Sequence, residues 1–210
     1  MKLLREALSI IRTHKNAYLL INVAFYGLLI VMMAATCGWP ELQAQFKPGT
    51  QAAFDQPGLF KTVGELYASR NLLLAMALTF GVNLIVASLL LITLPSLILP
   101  FIGIAMALFR AYMWGVNFAP TGPLALTLIP HSLTLLIEGQ AYVLAGFAAY
   151  VQGRQFLWPA RYNLLSKGAG YKAGIVSTLK IFVLIAIALA IGAVYEVLEA
   201  VYIMPHLVKH

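Results

Sequence analysis

The sequence has little charge and almost no cysteine. Only 10% of its 210 residues are Asp, Glu, Lys or Arg, against about 25% in a soluble domain. With 61% apolar residues and a mean hydropathy of +0.87, a soluble globular protein is excluded. The one cysteine, Cys37, rules out an internal disulfide, a cysteine-rich metal site and an iron–sulfur cluster; among apolar neighbours it reads as a small buried or interfacial residue. Acidic residues are scarce too, seven against 14 Lys and Arg, for a net charge of +7. In a chain this apolar, clustered Lys and Arg mark the cytoplasmic face of a membrane rather than a nucleic-acid surface, so no nucleic-acid partner is expected. His-Glu-x-x-His, Gly-x-Ser-x-Gly and a glycine-rich phosphate loop are all missing. The expectation is a protein that is not an enzyme, with no catalytic residue and no cofactor. Glu196, Glu199 and His206 could ligate a metal only if they faced one way, and Pro205 interrupts the helix beside His206; no metal is expected.

What the chain has in quantity is uncharged length. Neither the 39 residues from Asn71 to Phe109 nor the 27 from Ala111 to Ile137 contain a charged side chain, and about 20 apolar residues suffice to cross a bilayer. The fold class expected is all-α: a polytopic membrane helical bundle, one integral domain over residues 1–210, with about five transmembrane helices. The first runs from Ala17 to Thr36, too long for a signal peptide's apolar core and without a good cleavage site. Leu94-Pro95-Ser96 divides the long uncharged run into a second span from Asn71 to about Leu94 and a third from Ser96 to about Phe118. Ala119 to Pro123 makes an external turn. The fourth span begins near Leu124 and reaches Gly153 with a kink at Pro130, and the fifth runs from about Ile175 to Glu196 and Glu199.

Charge placement gives an orientation. Leu3, Leu4, Ala7, Leu8 and Ile11 recur at helical spacing among Lys2, Arg5, Arg12 and Lys15, which describes an amphipathic interfacial helix over residues 1–16 on the inner surface. A solvated helix leading into the first span would show the same pattern. Residues 154–173 hold Arg154, Arg161, Lys167 and Lys172 without an acid, a cytoplasmic basic loop, and Lys180 can snorkel back to the same surface. Residues 37–70, with balanced charge and Pro40, Pro48 and Pro57, form the external loop, with a short helix around Phe60, Val63, Leu66 and Tyr67. The expected location is the cell inner (plasma) membrane, N-terminus cytoplasmic and C-terminus, Tyr202 to His210, external.

An ionisable group at the bilayer centre costs at least about 2.5–3.5 kcal/mol, which singles out Arg110, His131 and Glu138. At about 1.5 Å per residue, Arg110 on the third span and His131 on the fourth reach similar depth, and Glu138 lies two turns from His131 on the same face. One reading is a cluster that relays protons, admits an ion or switches packing. The other, favoured because intramembrane charges commonly pair, is an Arg110–Glu138 ion pair that holds the bundle together, with His131 satisfying backbone groups freed at Pro130. Glu196 and Glu199 share a helix face near the outer interface and read as hydrated carboxylates. Ala145, Gly146, Ala149 and Gly153 form a small-residue stripe suited to close helix packing.

Pro130-His131, Glu138, Ala141 and Ala145-Gly146 together resemble the stage II sporulation protein M family of integral membrane proteins. So does Leu198-Glu199-Ala200-Val201-Tyr202 followed by Pro205. The family usually has a glycine after the histidine and a glutamate four residues on, where this chain has Ser132 and, seven residues on, Glu138. The resemblance implies a non-enzymatic membrane subunit acting as scaffold or assembly component of an envelope complex. Its partners would be the lipid bilayer and other membrane or envelope proteins, self-association included. The alternative is a transporter or permease-like subunit with a polar intramembrane site, since proline-interrupted helices often surround midplane sites.

Overall fold

A computed structural model describes residues 2–46 and 58–207. Every regular element among them is helical. Lys2–Thr13 is α1 and Lys15–Gly38 is α2, separated at His14. Leu59–Ala68 is α3. Leu72–Ile98 is one continuous helix, α4, whose middle, Val82–Thr93, is π-helical. Ile102–Asn117 is α5. A 3-10 segment, Gly122–Thr127, leads into α6, Leu128–Leu157. The last helix, α7, runs from Lys167 to Leu207 with a π-helical stretch at Glu199–Ile203.

Four of these helices are long and apolar enough to cross a membrane: α2, α4, α6 with its 3-10 lead, and α7. The expected third span, α5, has 16 residues, about 24 Å at 1.5 Å per residue, short of a hydrocarbon core of about 30 Å. Its start explains the shortfall. The chain does not turn at Pro95, because the π-helical stretch ends just before it and a new α-helical segment begins there, with proline in its first turn where a missing N–H matters least. The turn comes at 99–101, where Phe101 adopts a left-handed conformation (φ 70°) with its ring against Gly153, Tyr150 and Trp158. Pro130 likewise sits in the first turn of α6, at the junction with the 3-10 segment, rather than kinking a running helix. The basic loop is shorter than expected: Arg154 belongs to the last turn of α6, and Lys167 and Lys172 to the start of α7. Of the expected external loop, residues 37–46 and 58–70 are described, with Cys37 exposed. Lys47, Pro48, Asp55 and Pro57 lie outside the described residues, as do residues 208–210 of the expected external C-terminus.

The bundle is arranged around α6. In its most apolar window 72% of the residues are buried, against 22% for α2 and 33% for α4 and α7, so the fourth predicted span is the axis and the others are its coat. Along α6 pack α7, α5, α2 and α4, while α2 also lies on α5 and α1 lies on α7. The core consists of Phe25 and Leu29 from α2, Ala107 and Ala111 from α5, Tyr142 and Phe147 from α6, and Ile181, Ile185 and Leu189 from α7. Ala145, Gly146, Ala149 and Gly153 are all buried on α6, where Gly146 meets Ala107 and Gly153 meets the Phe101 ring. Amphipathic α1 buries only Ala7 and leaves Leu3, Leu4 and Leu8 exposed. It is tied to the last helix by Glu6, whose Oε2 lies 3.2 Å from Lys180 Nζ.

Candidate functional site

The polar residues of α6 fall on one stripe. His131, Thr134, Glu138 and Tyr142 are three to four residues apart and all buried, so one face of the helix carries all that α6 contributes to the site. The surrounding helices supply the partners. From the start of the π-helical stretch of α4, Asn83 donates Nδ2 to Glu138 Oε1 at 2.6 Å. Tyr142 donates its hydroxyl to Asn83 Oδ1 at 2.8 Å. From α5, Arg110 donates Nη2 to the same hydroxyl at 3.1 Å, its guanidinium 4.4 Å from the Tyr142 ring centroid and 5.2 Å from that of Trp114.

Arg110 and Glu138 therefore do not form the expected ion pair. They are the two ends of a relay through Tyr142 and Asn83. The aromatic faces hold the cation, and the carboxylate takes an amide donor in place of a guanidinium. Among the described residues, the ion pairs within 4.0 Å are His131–Glu199 and Lys180–Glu6.

His131 is the second correction. Its Nδ1 lies 2.9 Å from Glu199 Oε1, and its ring stands 4.5 Å from that of Phe118. The histidine therefore bonds a carboxylate rather than backbone groups freed at Pro130, and the Pro130 carbonyl accepts the Tyr195 hydroxyl at 3.0 Å. Glu199 is not a hydrated interfacial carboxylate either. It is 0% exposed, and its other oxygen accepts from Thr134 Oγ1 at 2.7 Å. Glu196, three residues earlier on α7, is partly buried and faces Glu138 carboxyl to carboxyl. The buried Glu196 Oε2 has no hydrogen-bond partner among the described residues. Gly192 permits this approach: a Cβ there would lie 3.1 Å from Glu138 Cγ.

The five residues singled out from the sequence thus belong to one site rather than two. Asn83, Thr134 and Tyr142 complete it. Thr134 and Tyr142 were recognisable by their spacing from His131 and Glu138, and Asn83 as a lone amide in an uncharged run. Tyr67 of α3 covers the outer side, with its hydroxyl 2.9 Å from Thr79 Oγ1. Burial first, and then the carboxylates of Glu196, Glu138 and Glu199, push its phenol pKa up. Among the described residues no three His, Cys, Asp or Glu side chains are grouped as metal ligands. Chemically, the site can hold a cation within aromatic walls and lock four helices in register. No family model, no curated protein and no solved structure matches the chain.

Proposed function

We propose that this protein is a non-enzymatic subunit of a membrane or cell-envelope complex, built to receive a transmembrane helix of a partner. The carrying observation is a gap in the coat around the central helix. α2 and α7 flank α6 but hardly meet, and between them Leu136, Ile137 and Gln140 of α6 line a groove of about 620 Å³ floored by Leu8 and Ile11 of α1. The hydroxyls of Tyr18 and Tyr26 are already engaged, with Gln140 and the Leu136 carbonyl, so the groove offers chiefly apolar surface to an apolar helix. The polar network supports the same reading, since its hydrogen bonds tie α4, α5 and α7 to α6 within the bundle. The resemblance to the stage II sporulation protein M family belongs to this proposal. Its two motifs, far apart in sequence, touch through His131–Glu199. Five crossings in the inner membrane, with α1 and the Lys167 end cytoplasmic, complete the reading and follow the basic residues.

A photo-reactive residue at Leu136, with one at the exposed Leu73 of α4 as control, tests it in native membranes. A discrete protein adduct at 136 and none at 73 is expected. Lipid adducts alone at both positions overturn the proposal.

A second reading, a transporter or permease-like subunit, is favoured by Glu196 Oε2, a buried carboxylate oxygen with no donor. Proteoliposome flux that is unchanged by Glu138→Gln and Glu196→Gln removes it.

A further inference from the structure

We infer that the wedge between the basic-side halves of α4 and α7 binds one acyl chain of an anionic phospholipid, whose headgroup rests on Lys172. The outer half of α4 packs on α7, but its π-helical middle turns toward α6 and α5, carrying the buried Asn83, Ser88 and Thr93 inward. The two helices consequently splay apart toward the end of the bundle where α7 begins. The opening, about 260 Å³, is walled by Leu89, Thr93 and Leu97 of α4 and by Ile175, Leu179 and Phe182 of α7. Its surface is carbon: the Thr93 hydroxyl is turned away onto the Ser88 carbonyl, and that of Thr178 is buried.

Size decides the occupant. A helix is 10–12 Å across with its side chains, so even a 10 Å length fills roughly 800 Å³. A hydrocarbon chain fits within the wedge whole, whereas a helix would seat only part of its section there, as it would in the wider groove beside α2. From Ile175 to Phe182 it extends about 10 Å along α7, beginning at the membrane surface as a lipid tail does.

Charge decides the headgroup. Lys172 lies three residues before Ile175 and seven before Leu179, on the wedge side of α7. It is exposed and, among the described residues, in no ion pair. Lys167 starts the same helix, and the acid on this side among the described residues, Glu6, is held by Lys180. A phosphate with net negative charge therefore meets an unopposed cation at the mouth.

Native mass spectrometry of the full chain, loaded with equimolar phosphatidylglycerol and phosphatidylcholine of matched tails, tests the inference. One retained lipid is expected, with phosphatidylglycerol preferred about fivefold, the contribution of one basic residue near an anionic surface. Lys172→Gln should abolish the preference and keep the lipid. Leu179→Trp, at an exposed position that fills the wedge, should lose both lipids, whereas Val23→Trp on the bare face of α2 should change nothing. No preference in the wild-type chain, a preference that survives Lys172→Gln, or full retention by Leu179→Trp would each overturn the inference.

Discussion

Tyr142→Phe isolates the relay, because it removes one oxygen and leaves the ring. The hydroxyl accepts from Arg110 at 3.1 Å and donates to Asn83 at 2.8 Å, whereas the guanidinium stacked 4.4 Å from the ring centroid keeps that contact. No cavity of consequence opens. Hydrogen bonds inside membrane proteins contribute about 0.6 kcal/mol on average and about 1.7 at most, so losing two should destabilise the bundle by about 1–3 kcal/mol. Asn83→Leu removes the same bond to Tyr142 and also the 2.6 Å bond to Glu138, and should cost at least as much. The two substitutions share one bond, so the double variant should be less destabilised than the sum, by about 0.6–1.7 kcal/mol. Reversible unfolding in mixed micelles gives these values, and Trp114, 5.2 Å from the Tyr142 ring, supplies a local fluorescence signal. Additivity within about 0.5 kcal/mol would refute the relay and leave Arg110 and Glu138 as separate charges.

Two further outcomes follow from other parts of the bundle. Gly170→Ala would place a Cβ 2.1 Å from the Gln155 carbonyl oxygen, and since the obstacle is backbone the start of α7 must shift; a loss of about 1–3 kcal/mol in thermal or denaturant unfolding is expected. His14, between α1 and α2, packs among the rings of Phe147, Tyr150 and Tyr162, and burial first, then Arg154, holds its pKa below the usual 6.5. A lowered folded-state pKa means that the stabilisation is present above 6.5 and is lost as pH falls through the folded value, so unfolding should ease below pH 6.5 in the native chain and show less pH dependence in His14→Phe.

The spans were legible wherever charge was absent, since a bilayer forbids charge more firmly than it prescribes anything else. Amphipathic α1 was legible for the opposite reason, its apolar residues recurring at helical spacing among basic ones. The boundary of α5 was not, because Pro95 looked like a terminator and only the preceding π-helical stretch lets the helix run on past it, while nothing about Phe101 announces a left-handed residue. Depth arithmetic brought Arg110 level with His131 and left Glu138 two turns away on the same face, near enough to suggest a pair. It could not place the neutral residues between Arg110 and Glu138, since the spacing that puts Tyr142 on the Glu138 face and the amide of Asn83 inside an uncharged run do not say that the two bridge the charges. Glu199 was misplaced because nearness to a helix end says nothing of what packs over that end, here Tyr67 and its neighbours Leu66, Val197 and Val201.

The pairing of His131 with Glu199 spans 68 residues of sequence, and synthesis runs from the N-terminus at about 5–20 residues per second. For roughly 3–14 s after His131 is made, the central helix thus has no Glu199 to receive its histidine and threonine, and no Gly192 face against Glu138. The axis of the bundle must wait at the insertion machinery or in the bilayer with its polar stripe unmet, and the helix that carries Gly192 and Glu199 is the one that relieves it. A chain truncated before Glu199 would leave His131 and Thr134 without the carboxylate they share.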